Sequence, residues 1–484
     1  MATFFSNTLK LVSGNIIAQI IGIILIPIIT RLYLPVDFGI FQLFSSIFAI
    51  IVIFSSLSYQ LAIMLPKEDE DAANIVALCC ILITIISFIS GFIFIIFSDT
   101  IGNILNAPAL SQYLIFIPLV VFVNSLFNLL IVWLSRTKRF GDIATAQVVN
   151  SISNKGIQIG FGIYAPSPIG LISGVIVGYS AAIGIRFRSI KDDLFLFRKV
   201  RWNNIRNLAI RYKNFPLFML WSDVANTLST QIVPLLLVFF FTPEIVGYYA
   251  LANMVVFLPM GLIGNATAQV FFQKACEEKN RTGSITNIVR EIQQRLISIG
   301  MFPMFVLMII GVDLFSFVLG SQWYIAGQYA GILAPWLLFV FIASPLSTIF
   351  SVLEKQTVDL AFNMLILITR VVVLVVGGIY GDPVTTLILF SLTGVLFWGG
   401  MNLYLVKLSG ISYRAALFDY LKFFCLAFMV AIPLLAVKLL SMPLYILFIT
   451  AGVVSFIYYL IVILNDSLLK NEIVRALQGF KSGK

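Results

Sequence analysis

The amino-acid sequence predicts an all-α integral membrane protein with about 14 transmembrane helices, two six-helix lobes in a parallel pseudo-twofold repeat and two extra C-terminal helices. Of its 484 residues, 60% are hydrophobic and only 11% are charged, whereas soluble domains carry about 25% charged residues. Such a chain cannot cover a water-facing surface with polar side chains, so we expect lipid to surround it. Long apolar runs and a repeated motif, described next, supply the rest of the prediction.

Fourteen stretches are long enough to cross a bilayer, which requires about 20 mostly apolar residues. Charged residues, prolines and glycines separate them. The first run is too long for a cleavable signal core and lacks a small-residue cleavage site, so it is taken as the first span. The predicted spans are 9–31, 38–64, 73–97, 112–134, 143–165, 168–186, 214–240, 245–272, 292–319, 327–353, 360–380, 384–406, 415–440 and 443–464.

The basic residues predict that both termini are cytoplasmic. With the N-terminus inside, 27 of the 31 lysines and arginines fall in cytoplasmic loops and tails, and only Arg31 and Lys438 lie at outer ends. This is a strong positive-inside bias. We therefore expect a multi-pass protein of the bacterial inner membrane. Its outer loops are too short to hold a catalytic domain, and its formal charge of +10 forms no continuous face for nucleic acid.

A repeated motif divides the chain into two halves. Residues 35–39 (PVDFG) follow the first span and are matched 208 positions later by residues 243–247 (PEIVG) after the seventh. The fifth and eleventh spans both end in Gly-Ile-Tyr, at 162–164 and 378–380. Matches in the same order at similar offsets, 208 and 216, indicate an internal duplication.

The repeat predicts the domain organisation. We expect an N-lobe at 1–190 (spans one to six), a basic cytoplasmic linker at 191–213, a C-lobe at 214–408 (spans seven to twelve), and spans thirteen and fourteen with a cytoplasmic tail at 409–484. Six spans per half keep the halves in the same orientation. Transporters built this way place substrate between the halves near the midplane and expose it alternately to each side.

Polar side chains line one face of several predicted spans, at positions that a helix brings together. Such a face is costly against lipid, so it either lines a cavity or hydrogen-bonds neighbouring helices, and both interpretations stay open for the uncharged residues. These residues are Asn15 and Gln19 on span one, Gln147, Asn150, Ser151, Asn154 and Gln158 on span five, and Asn226, Thr227, Thr230 and Gln231 on span seven.

Two cations lie near the middle of predicted spans, Lys155 on span five and Arg370 on span eleven. A charge at that depth costs at least about 2.5 kcal/mol on insertion scales, which favours a substrate-facing role for both. The alternative is an ion pair with Asp223, which could be a counter-ion, a coupling-ion site or a helix-end residue. Arg31 is a further candidate cavity cation or an interfacial anchor.

Other patterns predict neither a cofactor nor a metal site. The chain has no histidine, and its four cysteines lie in or beside apolar segments at no metal-ligand spacing. Gly170, Gly174 and Gly178 form a double GxxxG motif that predicts close helix packing. The basic stretch 186–213, which contains Trp202, is a plain linker or an amphipathic helix along the inner leaflet.

Two stretches resemble the polysaccharide flippases of the O-antigen (Wzx) type. They are 31–46 (RLYLPVDFGIFQLFSS) and 59–73 (YQLAIMLPKEDEDAA), and the opening of the second half, 213–273, is similar as well. The resemblance implies the fold of the multidrug/oligosaccharidyl-lipid/polysaccharide exporter superfamily. It also implies an undecaprenyl-diphosphate-linked oligosaccharide as substrate, moved to the outer leaflet by alternating access.

The same resemblance implies membrane lipids, a glycan polymerase and chain-length proteins as partners, and H+ or Na+ as a coupling ion. It provides no fixed motif that includes Lys155 or Arg370, so the assignment of these two residues to the substrate site depends on their depth in the membrane alone. Fixed cations would lower the electrostatic cost of bringing a diphosphate into the membrane. The competing hypotheses are a drug or cation antiporter or a lipid II flippase of the same fold, and a membrane glycan polymerase or ligase.

Overall fold

The computed structural model describes residues 2–190, 193–258, 260, 264–353 and 355–465, and within these ranges the chain is helical and contains no strand. The main helices are α1 (Ala2–Leu32), α2 (Pro35–Phe54), α3 (Asp69–Ile104), α4 (Ile117–Arg136), α5 (Phe140–Tyr164), α6 (Pro168–Ile190), α7 (Leu220–Phe240), α8 (Pro243–Val256), α9 (Asn265–Thr282), α10 (Thr286–Leu319), α11 (Tyr324–Leu346), α12 (Gln356–Tyr380), α13 (Pro383–Leu408), α14 (Tyr413–Leu439) and α15 (Leu444–Asn465).

Shorter elements connect the main helices. The Trp202–Arg211 segment is called the linker helix below, and a π-helical segment, Phe215–Met219, leads directly into α7. The remaining short helices are Tyr59–Met64, Pro108–Leu110, Ser111–Leu114, Leu194–Phe197, Ser321–Trp323 and Ile349–Val352.

Within the described ranges, eleven helices are long and apolar enough to cross a membrane, which confirms a multi-pass helical protein. They account for eleven of the fourteen predicted spans. The other three are 9–31, 143–165 and 245–272. The described apolar part of α1, Ile16–Leu32, is short, α5 carries many polar side chains, and the third stretch is divided between α8 and α9.

The sequence misplaced some span limits where a turn interrupts an apolar run. The predicted span 38–64 is helical only to Phe54, because Leu57 and Ser58 adopt positive φ angles of 50° and 60° that an α-helix cannot accommodate. The chain then continues as the short 3-10 helix Tyr59–Met64.

Capping residues and prolines explain where helices α13 and α2 begin. Asp382 caps α13 by accepting a hydrogen bond from the Thr385 backbone N–H at 2.7 Å, and this bond holds the pKa of its carboxyl below the usual value. Pro383 occupies the first turn, where a missing N–H costs nothing. Pro35 does the same for α2.

Helices α2 and α8 each begin with one copy of the Pro-x3-Gly motif. Helices α5 and α6 pack as a hairpin, as do α12 and α13. The described residues fold into two compact units, one comprising those up to Ala250 with Val318–Gln322, the other those within Leu251–Phe317 and from Trp323 to Asn465.

The first unit has an apolar core beneath the linker helix. Ile63, Cys79 and Trp133 are buried there together with Leu208 of the linker helix. The Trp133 indole N–H donates to Asp193 Oδ2 at 2.9 Å, so the segment before the linker helix is tied to α4.

The second unit is built around α11. In the most apolar stretch of Ser321–Val352, two thirds (67%) of the residues are buried, the highest share among the candidate spans in the described residues. In this unit Lys438 on α14 forms an ion pair with Asp313 on α10, which ties these two helices together.

Candidate functional site

The polar face of α5 packs partly against the glycine motif of α6. A Cβ atom on Gly178 would lie 2.5 Å from Asn150 Oδ1, and one on Gly174 would lie 2.6 Å from Gln158 Cγ and 2.8 Å from Asn154 Oδ1. Only glycine fits at these two positions. The predicted close packing at the double GxxxG motif is therefore confirmed.

Three of the α5 polar residues lie in this helix contact. Gln158 is only 2% exposed, and its amide Nε2 donates to the Leu171 carbonyl at 3.2 Å. Within the described part of the chain, Asn150 Oδ1 and Asn154 Oδ1 are buried with no hydrogen-bond partner. Because each faces a glycine, weak C–H···O contacts are the interactions open to these oxygens.

Lys155 lies beside this contact and is half-buried. Its ammonium group donates to Gln158 Oε1 at 3.1 Å. An ammonium has three N–H donors, so two remain for water or a ligand. The neighbouring Ser151 donates to the Ala18 carbonyl of α1 at 2.8 Å, so α1 flanks the same face.

Asp223 lies on α7 in the same compact unit. It accepts a hydrogen bond at 3.1 Å from the hydroxyl of Ser58, the buried residue with positive φ that follows α2. No ion pair joins Asp223 to Lys155 among the residues whose positions the structure gives. In this conformation each of the two has a different polar partner.

The remaining predicted polar residues are more open. Four of them are exposed: Asn226 and Thr230 on α7, and Gln19 and Arg31 on α1. Three are half-buried: Thr227, Gln231 and Gln147. The Thr230 hydroxyl donates to the Thr227 carbonyl at 2.9 Å. The side chain of Asn15 lies outside the described part of the chain.

The two copies of the Pro-x3-Gly motif contact each other reciprocally. A Cβ on Gly39 would lie 1.7 Å from the Pro243 carbonyl oxygen, and one on Gly247 would lie 1.9 Å from the Pro35 carbonyl oxygen. Glycine is thus required on both sides for the first turns of α2 and α8 to meet backbone to backbone. We call this contact of Pro35, Gly39, Pro243 and Gly247 the outer closure, because the orientation predicted from the basic residues places it outside.

Further bonds surround the outer closure at the same predicted end of the molecule. Asn106 Nδ2 donates to the Phe239 carbonyl at 2.6 Å. Gln322 Nε2 donates to the carbonyls of Thr30 at 2.7 Å and Tyr33 at 3.0 Å. The loop side chains involved carry no sequence pattern that sets them apart.

Tyr33 is a buried residue that the sequence did not single out. Its phenol donates to the Gln158 carbonyl at 2.6 Å, linking the end of α1 to the polar face of α5. Burial, and secondarily the Asp37 carboxylate, raise the pKa of this phenol to about 12, so it stays protonated and acts as a donor at neutral pH. In the sequence, the signal that could have pointed to Tyr33 is its position between Arg31 and the first Pro-x3-Gly motif.

Arg370 lies on α12 in the second unit among aromatic rings. Its guanidinium carbon is 5.7 Å from the centre of the Trp336 ring and 5.9 Å from that of Phe390. Such cation–π contacts contribute up to about 2 kcal/mol each when desolvated, which offsets part of the cost of a buried charge. The indole N–H of Trp398, which lines the same small space, is buried without a hydrogen-bond partner among the described residues.

An apolar cavity of about 820 Å³ opens in the second unit. Met304 and Met308 of α10, Gly400 of α13 and Phe424 of α14 are among its lining residues. Within the described ranges, no group of three cysteine or acidic side chains could hold a metal ion. The described residues thus offer a polar helix face with one cation in the first unit, and an aromatic-lined cation and an apolar cavity in the second.

Comparison with known proteins identifies the fold and the family. The structure resembles a lipid II flippase MurJ in an inward closed conformation, with a TM-score of 0.72 and 14% identity over 94% of this chain and 98% of that one. It also resembles multidrug resistance MATE family transporters of the MOP superfamily. For an inward-facing conformation the TM-score is 0.63 with 15% identity over 81% and 96% of the two chains, and for an outward-facing one it is 0.52 with 13% identity over 86% and 94%.

No curated protein sequence matches the chain. At the identities just given, the structural likeness establishes the fold alone. A family model described as "Polysaccharide biosynthesis protein" matches residues 28–326, more than half of the chain. The chain therefore belongs to the polysaccharide biosynthesis protein family and has the multi-pass transporter fold shared with MurJ and MATE proteins.

Proposed function

We propose that this protein is a flippase that moves an undecaprenyl-diphosphate-linked oligosaccharide repeat unit from the cytoplasmic to the outer leaflet of the bacterial inner membrane. It would work by alternating access and serve the biosynthesis of O-antigen or another surface polysaccharide. The observation that carries the proposal is Lys155, a cation on the polar face of α5, in a chain of a polysaccharide biosynthesis family.

Electrostatics supports an anionic substrate. Two unit charges 4 Å apart interact by about 4 kcal/mol at the effective dielectric of a protein near its surface. Lys155 keeps two N–H donors beyond its bond to Gln158, enough to contact a diphosphate or an acidic sugar. Arg370, whose guanidinium lies against the rings of Trp336 and Phe390, would supply a second positive charge.

The outer closure supports the alternating-access part of the proposal. We propose that the reciprocal contact at Gly39 and Gly247 holds the outer side shut and separates when substrate is released. Asp223 is proposed to act at the other predicted end, as counter-ion or coupling-ion site for H+ or Na+, with Ser58 as its partner in the closed-outside state.

The apolar cavity suits the lipid tail of such a substrate. Its lining is almost entirely aliphatic, aromatic and thioether, which is the surface that a polyprenyl chain would meet without losing hydrogen bonds. We propose that the tail remains in the membrane and uses this cavity while the polar head crosses.

We also propose the predicted domain limits at 190, 213 and 408, and a cytoplasmic location for both termini. Arg31 is proposed as a further cation that contacts the substrate. The partners proposed are membrane lipids, a glycan polymerase and chain-length proteins.

Deleting the gene and restoring it with charge variants tests the function. Loss of one surface glycan, with accumulation of its lipid-linked repeat unit on the cytoplasmic side, is the expected phenotype. Lys155→Gln or Arg370→Gln should fail to restore the glycan at normal protein level. Lys155→Arg should restore part of it, because the requirement is for charge more than for geometry. Arg281→Gln, an exposed cation paired with Glu278, is the matched control and should restore it fully.

Three kinds of result would contradict this reasoning. Full rescue by Lys155→Gln combined with Asp223→Asn, where each single change fails, would assign the two residues to a structural ion pair formed in another conformation. Accumulation of lipid II, or drug sensitivity with intact surface glycan, would instead identify a lipid II flippase or a drug antiporter. Unchanged translocation with unpolymerised glycan outside would indicate a polymerase or ligase.

A further inference from the structure

We propose that the linker helix, Trp202–Arg211, is a binding surface for the headgroups of anionic phospholipids in the cytoplasmic leaflet. The proposal concerns a different part of the molecule from the substrate path and does not depend on what is transported.

The linker helix is fixed on the protein along one side. Ile205 and Leu208 are both buried, and Leu208 belongs to the apolar core of the first unit. The Tyr59 hydroxyl donates to the Ala209 carbonyl at 2.9 Å, and the Arg201 backbone N–H donates to Asn74 Oδ1 at 3.1 Å. The linker helix is therefore held in one orientation on the protein, so the orientation of its remaining faces is fixed as well.

A membrane-anchoring pattern lies beside the docked side. Trp202, Arg206 and Ile210 are spaced four residues apart and so form one stripe. Trp202 is 69% exposed and Ile210 is 57% exposed, which is unusual for a short helix whose average composition is polar. Tryptophan favours the headgroup level of a bilayer, and arginine between two apolar side chains can reach lipid phosphates.

The charge of this region is complementary to anionic lipid. Residues 194–222 contain six lysines and arginines and no acidic residue. Lys199 pairs with Glu70 at 2.5 Å. The side chains of Arg201 and Arg206 are exposed, and no ion pair to either is found among the described residues. Both are available for phosphate groups.

The position of the helix in the chain keeps it at the membrane surface. It lies between α6 and the Phe215–Met219 segment that leads into α7, and both α6 and α7 are candidate membrane-crossing helices. A docked helix between two spans cannot move far from the bilayer. Its exposed apolar stripe therefore meets lipid more readily than a soluble partner.

Lipid binding to the purified full-length protein tests the proposal. Native mass spectrometry during titration with phosphatidylglycerol should show a bound population that phosphatidylcholine does not produce. Arg201→Gln with Arg206→Gln should weaken that binding about 30-fold, the effect of two cations near an anionic surface. The control is Lys274→Gln with Arg281→Gln, an equal charge change at exposed positions of α9, which should leave binding unchanged.

Depth measurement separates membrane contact from simple charge attraction. A spin label at Ile210→Cys, in a variant without the four native cysteines, should be relaxed by oxygen in the bilayer, whereas one at Asn207→Cys should respond to a water-soluble nickel chelate. Equal water access at 210 and 207 would overturn the proposal. Equal loss of phosphatidylglycerol binding in the test and control variants would overturn it as well. Neither measurement involves the glycan, so the transport proposal stands or falls separately.

Discussion

Replacing Gly39 by alanine places a methyl group directly into the outer closure. The new Cβ would lie 1.7 Å from the Pro243 carbonyl oxygen, whereas real Cβ atoms essentially never approach another heavy atom closer than 3.0 Å. The obstacle is backbone, so no side-chain rotation can relieve it, and the two turns must separate by more than an ångström. Overpacking of this kind costs about 1–3 kcal/mol. An energy of that size changes the ratio of closed to open molecules by roughly 5- to 150-fold.

Cysteine cross-linking across the closure measures that ratio. Cysteines at Val36 and Ile245 should form a cross-link readily in the parent protein and much more slowly with Gly39→Ala, and Gly247→Ala should behave alike because the contact is reciprocal. Gly22→Ala is the matched control, since a Cβ there has nothing within 4 Å and alanine is favoured over glycine inside a helix by about 1 kcal/mol. Cross-linking rates that stay equal in all three variants would refute the backbone-contact reasoning.

Three further predictions concern transport and topology. Completing the cross-link between the two introduced cysteines should stop glycan export without lowering protein level, and export that continues with full cross-linking would show that the closure need not open. Gly400→Phe should fill the apolar cavity and reduce export, because a Cβ at Gly400 meets open space; Gly452→Phe, equally unobstructed but outside the cavity lining, should not. Equal export by these two variants would remove the cavity from the lipid-tail path. Reporter fusions should be active outside after residues 33, 106 and 243 and inactive after 71, 139 and 204, and the reverse pattern would overturn the predicted orientation.

The helices could be predicted because hydropathy and the repeat act over long stretches of chain. The interruption at Leu57 and Ser58 could not, since neither residue is a glycine and the positive φ angles arise where the chain turns from α2 into the next short helix. Span five, 143–165, was predicted from its length between breaks, but the polar residues on one of its faces leave α5 outside the eleven candidate membrane-crossing helices found among the described residues.

The candidate site was predictable as a set of helix faces but not as a set of contacts. Spacing placed Asn154 and Gln158 on one side of α5, yet it could not show that the α6 glycines cover them. Arg370 was identified by its depth. The aromatic rings around it come from Trp336 and Phe390, on helices that only tertiary packing brings to α12.

The packing of Tyr33 has an evolutionary consequence for Gly170. A Cβ on Gly170 would lie 2.3 Å from the Tyr33 hydroxyl oxygen, so even alanine is barred there while the tyrosine remains. Phenylalanine at position 33 would remove that obstacle together with the hydrogen bond to the Gln158 carbonyl, but the Phe161 Cβ, 2.7 Å from the added atom, would still block a side chain at 170. A lineage that acquires a side chain at 170 must therefore change position 33 and also shift α5 away from α6. In related chains, glycine at 170 should persist wherever tyrosine persists at 33.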